Sequence, residues 1–430
     1  MTMFQSLGML LSICAVCAYL NQRFLHWPQV LAMNMMSLLL ATVLIIVGHI
    51  GFAPINEAEQ FVRSFDFADL VLHGILGLLL FAGALFIDVE DLRRWAKPIA
   101  ALATLGVLVS AVVVGAILWV AAQAIGLDLN FWWCVLFGAL ISPTDPIAAL
   151  AIVRSSGAPK AMEIKLVGES LFNDATGVML FLVVLGIIKT GDISASLLAH
   201  ELFVAPVGGA ALGLGLGWLA TRAISMVNHH PTEILITLAL AVVSYGLAEA
   251  IHVSAPISVV AAGMVIGHRA RKHAMTDETR KHLDVFWEGI DEVINASLFV
   301  LIGLELVLID VNWQVLVLGV ICWLGVLVGR WLGVVGVLAP MRRKGGLGAG
   351  TTRVMVWGGL RGGISLALAL SLPPSPEASV LVAITFIVVA LSGAVQGMTL
   401  KRVIPRQVQA DEADKDLIEA PAEAEGSMRS

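Results

Sequence analysis

Three short polar runs interrupt an otherwise apolar chain, and each joins residue types suited to holding a small cation or moving a proton. The first is SPTDP, residues 142–146, where Thr144 and Asp145 lie between Pro143 and Pro146. Each proline lacks an N–H and clashes with the carbonyl four residues back, so Ala139 and Ser142 lose their helical donors and the helix should break. The second run is GESLFNDATG, residues 168–177. Helical neighbours lie three or four residues apart, which puts Ser170 and Asp174 on one face and Glu169 and Asn173 on the adjacent one. A hydroxyl then sits beside a carboxylate, and a second carboxylate beside a carboxamide. The third run is GGLRGG, residues 358–363, with Arg361 between glycine pairs that permit close backbone approach. Its always-charged guanidinium demands a buried anion, and Asp145, Glu169 and Asp174 are the candidates. Arg330 is a second arginine in an apolar run. The sequence leaves open whether it neutralises an acid or the C-terminal end of a half-helix.

The elements that must position these residues follow from composition. The chain has 430 residues, 58% hydrophobic and 13% charged, with a mean hydropathy of +0.91. Soluble domains carry roughly a quarter charged residues, so this chain belongs in a bilayer. A charge at mid-membrane costs roughly 2.5 to 3.5 kcal/mol, so those inside apolar runs carry information. Cys14, Cys17, Cys134 and Cys322 all fall in apolar runs, which supports neither a disulfide module nor a zinc site.

Runs of about 20 apolar residues mark crossings. Thirteen are expected, at 3–20, 29–50, 70–87, 99–122, 131–153, 164–188, 201–226, 233–251, 255–268, 290–310, 314–339, 353–372 and 379–400. With the N-terminus outside and the C-terminus cytoplasmic, twenty-two of the twenty-six lysines and arginines fall on the cytoplasmic side. Only Arg63 and Lys189 fall outside, while Arg330 and Arg361 lie within spans. The first run has no basic residues before it and reads as a retained helix rather than a signal peptide. Trp27, Trp95, Trp132, Trp133, Trp287 and Trp313 fall near span ends, as an aromatic belt would. Residues 269–288 read as a basic amphipathic helix lying on lipid headgroups. The chain thus divides into a transmembrane domain, 1–400, and a short acidic, disordered cytoplasmic tail, 401–430.

Spans five and twelve are the two interrupted ones. If span seven is a linker, each is fifth in a set of six, and the two sets run in opposite directions. The expected fold is therefore all-α, with inverted repeats, spans 1–6 and 8–13, whose discontinuous helices cross at the midplane. Irregular backbone at that depth survives only against protein or a watery cavity, where its freed carbonyls suit ions.

Together SPTDP, GESLFNDATG, FWEGIDEVINASLFVLIGLEL in span ten and GGLRGG resemble the monovalent cation:proton antiporters of the bacterial NhaP and eukaryotic sodium/proton exchanger type. The likeness covers residues 3–400. It implies a site for Na⁺, or another monovalent cation, made by Asp174, Ser170 and the main-chain carbonyl of Thr144, with Asp145 acting directly or through water. It also implies that Asn173 and Glu169 link to Arg361, tying span six to span twelve, and that Asn173 before Asp174 goes with electroneutral exchange. A homodimer in the bacterial inner membrane is implied, with no cofactor and no nucleic-acid partner. One position departs from the pattern: Ala82 stands where many relatives carry a glutamate in span three.

Burial in low dielectric disfavours a bare carboxylate. Proton and cation would then compete for Asp174, and alternating access would convert that competition into exchange. The rival readings are a passive cation channel, a carrier of organic anions or sugars, and, remotely, an intramembrane hydrolase using Ser170, for which the GxSxG elbow is missing. His73 and Asn295 read as satisfied packing groups, and Glu249 and Glu305 as acids near water at the outer span ends.

Overall fold

A backbone that crosses a bilayer finds no water to satisfy its N–H and C=O groups, and a helix satisfies them within one segment. The computed structural model describes residues 3–27, 29–49, 60–62, 65–156, 160–227, 229–271, 274–308, 312–342 and 349–404, and all regular structure among them is helical. The principal helices of the first half are α1 (Met3–Leu20), α2 (Gln29–His49), α3 (Leu76–Leu85), α4 (Val107–Ala124), α5 (Phe131–Leu140), α6 (Pro146–Ser155) and α7 (Lys160–Thr190). Those of the second half are α8 (Ala205–Ile224), α9 (His230–Ala250), α10 (Ala255–Val265), α11 (Asp277–Glu305), α12 (Trp313–Arg342), α13 (Ala349–Trp357), α14 (Gly363–Leu370) and α15 (Pro376–Leu391). Among the described residues eight helical stretches are long and apolar enough to cross a membrane, joined by shorter apolar helices at Leu31–Val47, Phe131–Leu140 and Ala255–Ala270.

Both predicted interruptions are present. Span five is split into α5 and α6 by residues 141–145, and span twelve into α13 and α14 by residues 358–362. The proline pair accounts for the first break, and the glycines around Arg361 weaken the helix at the second. The last helical stretch continues through a π turn, Ser392–Gly397, to residue 404. The rest of the expected acidic tail, 405–430, lies outside the described residues, as does Arg63.

The region 269–288 corrects the sequence expectation. Among the described residues no separate interfacial helix lies there, because α11 begins at Asp277, capped by the Thr276 hydroxyl accepting from the Thr279 N–H at 3.2 Å, and runs unbroken to Glu305. Trp287 is consequently fully buried rather than part of an aromatic belt. Its ring lies 4.8 Å from that of Phe81, and its Nε1 donates to Thr237 Oγ1 at 3.1 Å. Glu305, expected near water, is also buried.

The buried side chains fall into two main clusters. One joins α4, α5, α11, α12, α14 and α15 through Leu118, Phe137, Leu301, Cys322, Leu366 and Ile384. The other joins α3, α9 and α10 to Trp287 through Phe81, Tyr245, Val259 and Ala262. Against α10 packs the small-residue face of α8, so closely that a Cβ at Gly213 would fall 2.0 Å from the Ser258 carbonyl oxygen. Helix α7 lies between these bodies and touches both α5 and α10. Outward faces are apolar, as lipid requires, with Phe203, Val207, Trp218 and Leu219 on and beside α8 largely exposed.

Candidate functional site

The two breaks meet. The Asp145 backbone N–H donates to the Leu360 carbonyl at 2.8 Å, so the irregular strand of one half-helix pair hydrogen-bonds to that of the other. The contact is tight enough that a Cβ at Gly362 would stand 2.8 Å from both Cβ and Oδ2 of Asp145. Helix α7 runs past this crossing, and a Cβ at its Gly177 would meet the Pro143 ring at 2.6 Å. Small residues at Gly177 and Gly362 are therefore what allow three elements to converge.

Freed backbone groups find specific partners, as buried polar groups must. Of the two carbonyls that lose helical donors, Ala139 is taken up by a tight turn, its oxygen accepting from the Ser142 N–H at 3.1 Å. Ser142 and Pro143 instead accept from Arg361 Nη1, the latter at 3.1 Å. At the second break the Trp357 carbonyl accepts from Gln396 Nε2 at 3.1 Å, and the Arg361 N–H donates to Ser392 Oγ at 3.1 Å.

This corrects the sequence expectation for the arginines. Glu169 does not pair with Arg361. Its two carboxylate oxygens accept from Nη1 and Nη2 of Arg330, the latter at 2.6 Å, and Arg330 also donates to the Met355 carbonyl from Nε at 3.2 Å and Nη2 at 3.1 Å. The arginines thus divide the two roles the other way round. Arg361 caps the C-terminal end of a half-helix, where exposed carbonyls and the helix dipole supply partial negative charge, and Arg330 neutralises the acid. Span six is consequently tied to span eleven by an ion pair, and to the span-five break through Thr144.

Thr144 and Ser170, both expected at the ion site, meet through their hydroxyls rather than through the Thr144 main-chain carbonyl. Thr144 Oγ1 and Ser170 Oγ share a hydrogen bond of 2.9 Å, and Asn173 Nδ2 donates to Thr144 Oγ1 at 3.1 Å and, more weakly, to Glu169 Oε1 at 3.4 Å. Thr144, Glu169, Ser170, Asn173 and Asp174 are all buried. Asp174 is 4% exposed, and its Oδ1 has no hydrogen-bond partner. The Thr144 backbone amide lies at this carboxylate, with the charges of Asp145, Glu169 and Arg361 around it. Asp145 is half-buried at the crossing. A buried, acceptor-only carboxylate oxygen without a donor, with a second acid near it, is an arrangement that a proton or a bare alkali cation would complete. Ala82 is buried on α3 and offers no ligand.

Ser392 and Gln396 are the partners that sequence reasoning missed. They stand four apart in the apolar thirteenth span, a spacing that could have marked a polar face. The expected packing groups are only partly so: Asn295 Nδ2 donates to the Asp291 carbonyl at 2.7 Å but its Oδ1 is buried without a partner, and His73, more than half exposed, bridges Asp69 at 2.9 Å and Glu249 at 3.4 Å.

Residues 10–405 match the family model described as "Sodium/hydrogen exchanger, transmembrane". The chain is 41% identical over 403 residues to the Na⁺/H⁺ antiporter NhaP of Pseudomonas aeruginosa, covering 92% of this chain and 95% of that one. It is 35% identical to the Na⁺/H⁺ antiporter NhaH of Halobacillus aidingensis, covering 86% of this chain and 91% of the relative. In fold it is similar to the sodium proton antiporter MjNhaP1 of Methanocaldococcus jannaschii, with a TM-score of 0.74 at 20% identity, covering 95% of this chain and all of the other.

Proposed function

The chain belongs to the sodium/hydrogen exchanger family, and from that premise we propose that it is a secondary transporter, not an enzyme, exchanging Na⁺ for H⁺ through Asp174. The observation that carries this reading is the buried Asp174 carboxylate with a free oxygen beside the crossing of two broken helices. A bare charge there is disfavoured by desolvation, so Asp174 crosses the barrier only when it holds a proton or a cation. Ser170, Thr144 and Asp145 supply the remaining oxygens for the cation, and the empty, charged site does not cycle. Exchange follows without a covalent intermediate.

Asn173 carries no charge and precedes Asp174, the arrangement that the family resemblance associates with electroneutral exchange, and we take the exchange here to be one Na⁺ for one H⁺. The Glu169–Arg330 pair holds α7 to α12 and takes no part in the chemistry. The orientation is N-terminus outside and C-terminus cytoplasmic, following the basic residues, in the bacterial inner membrane and as a homodimer. Alternating access moves the body containing α7 and the two breaks against its neighbour. The capped breaks argue against the passive channel, since their carbonyls are engaged by protein donors rather than lining an open pore.

The test is exchange in reconstituted vesicles. Asp174→Asn should abolish the proton movement driven by an imposed Na⁺ gradient; residual exchange at the parent rate would rule the reading out. Repeating the parent measurement with Na⁺, K⁺ and Li⁺, with the voltage clamped by an ionophore, reports the cation and the stoichiometry together.

A further inference from the structure

A cavity of about 10 Å³ has Ser110, Ser142, Asn173, Arg330 and Arg361 in its lining. Three of its lining residues each carry a buried side-chain atom without a hydrogen-bond partner: Ser110 Oγ, Asn173 Oδ1 and Arg361 Nε. These residues are 4%, 1% and 3% exposed. Three such residues around one small space are unusual, because buried polar groups are almost always paired.

We infer that this cavity is the binding site of a single structural water, and that Ser110, which no motif marks, is a positioning residue for the ion site. The volume is about that needed to seat one water. The bonding inventory matches as well: water accepts from Arg361 Nε–H, donates to Asn173 Oδ1, and exchanges a bond with the Ser110 hydroxyl, the three partners usual for a buried water. A cation is excluded by the two guanidinium groups that line the space. Glu169, an acceptor only, holds the Asn173 amide nitrogen at 3.4 Å, which leaves Asn173 an acceptor for the cavity and sets it against an anion, and the volume of about 10 Å³ admits nothing larger than a water.

The water acts on the ion site through Asn173. Fixing Oδ1 fixes Nδ2 on Thr144 Oγ1, and Thr144 in turn bonds to Ser170, one of the residues beside Asp174. Ser110 itself sits on α4, just after a π turn at Leu102–Gly106 whose Leu102 and Gly106 also line the cavity. Such turns often accompany functional sites. A Cβ at Gly329 of α12 would come within 3.2 Å of Ser110 Oγ, so the buried hydroxyl lies between α4 and α12.

The positioning role rests on the proposed exchange at Asp174, whereas the water itself rests on geometry alone. Ser110→Ala should leave expression intact and raise the Na⁺ concentration for half-maximal exchange by roughly fivefold, the worth of one buried hydrogen bond. It should also displace the pH profile of exchange, which a purely structural role would not move. Ser110→Thr keeps the hydroxyl and should stay near the parent, while Ser110→Val, equal in shape, should behave like alanine. Equal behaviour of the threonine and valine variants, or an alanine variant with parent affinity and pH profile, would overturn the positioning role. A cryo-EM map resolving ordered waters should show one bonded to Ser110, Asn173 and Arg361, and a map resolving other buried waters but none here would overturn the site. Failure of the exchange reading would appear separately, as activity surviving in Asp174→Asn.

Discussion

Replacing each buried arginine by methionine separates the pairing found in the structure from the one expected from sequence. Arg330 and Glu169 have side chains 8% and 0% exposed, and their paired hydrogen bonds leave the carboxylate no comparable alternative partner, since Asn173 donates only at 3.4 Å. Arg330→Met therefore strands a buried charge, which costs about 3 to 5 kcal/mol. The Met355 carbonyl, which accepts two bonds from the same guanidinium, loses a further increment of about 1 kcal/mol. Arg361→Met removes a donor from two neutral carbonyls, Ser142 and Pro143, at a cost of roughly 1 to 3 kcal/mol. The expected order of stability is parent, then Arg361→Met, then Arg330→Met. Adding Glu169→Gln should recover about half of the loss in the Arg330→Met background, because it removes the stranded charge, and should not rescue Arg361→Met. Thermal unfolding in detergent, followed by the folded fraction on size exclusion, reads the parent and all four variants. Rescue of Arg361→Met by Glu169→Gln, with Arg330→Met the milder lesion, would refute the assignment and restore the pairing expected from sequence.

Two further outcomes follow from packing. Gly362→Ala forces a Cβ to within 2.8 Å of Asp145, so the crossing must open; exchange in vesicles should fall at least tenfold with about 1 to 3 kcal/mol of overpacking, and parent-like exchange would mean that the crossing tolerates displacement. Trp287→Ala should lower stability by about 3 to 5 kcal/mol and Trp287→Phe by only about 1 kcal/mol, the worth of the bond to Thr237. A silent alanine variant in thermal unfolding would place Trp287 at a surface after all.

Much of this molecule is written in local patterns. The apolar runs, the two breaks and the facing of Ser170 with Asp174 depend only on hydropathy, on proline's missing N–H and on the helical repeat, and each is a property of a few consecutive residues. The grouping of Thr144, Asp145 and Asp174 into one site is not local in this sense: they stand in two motifs 30 residues apart at most, and it was the resemblance to the antiporter family that implied their meeting. The start of α11 at Asp277 was harder, because the charged turns before span ten look like a surface helix until Trp287 and Leu283 are seen against α3 and α9.

What only the tertiary structure decided is which charge meets which. Asp145, Glu169, Asp174, Arg330 and Arg361 are all buried or half-buried ionisable groups in spans, and chain order does not say how α7 is turned against α12 and α13. That rotation puts Glu169 on Arg330, frees Arg361 for the carbonyls of the span-five break, and closes the cavity beside Ser110. Local chemistry named the participants, but ion pairs and caps depend on distances of a few ångströms between segments more than a hundred residues apart, and those are set by packing alone.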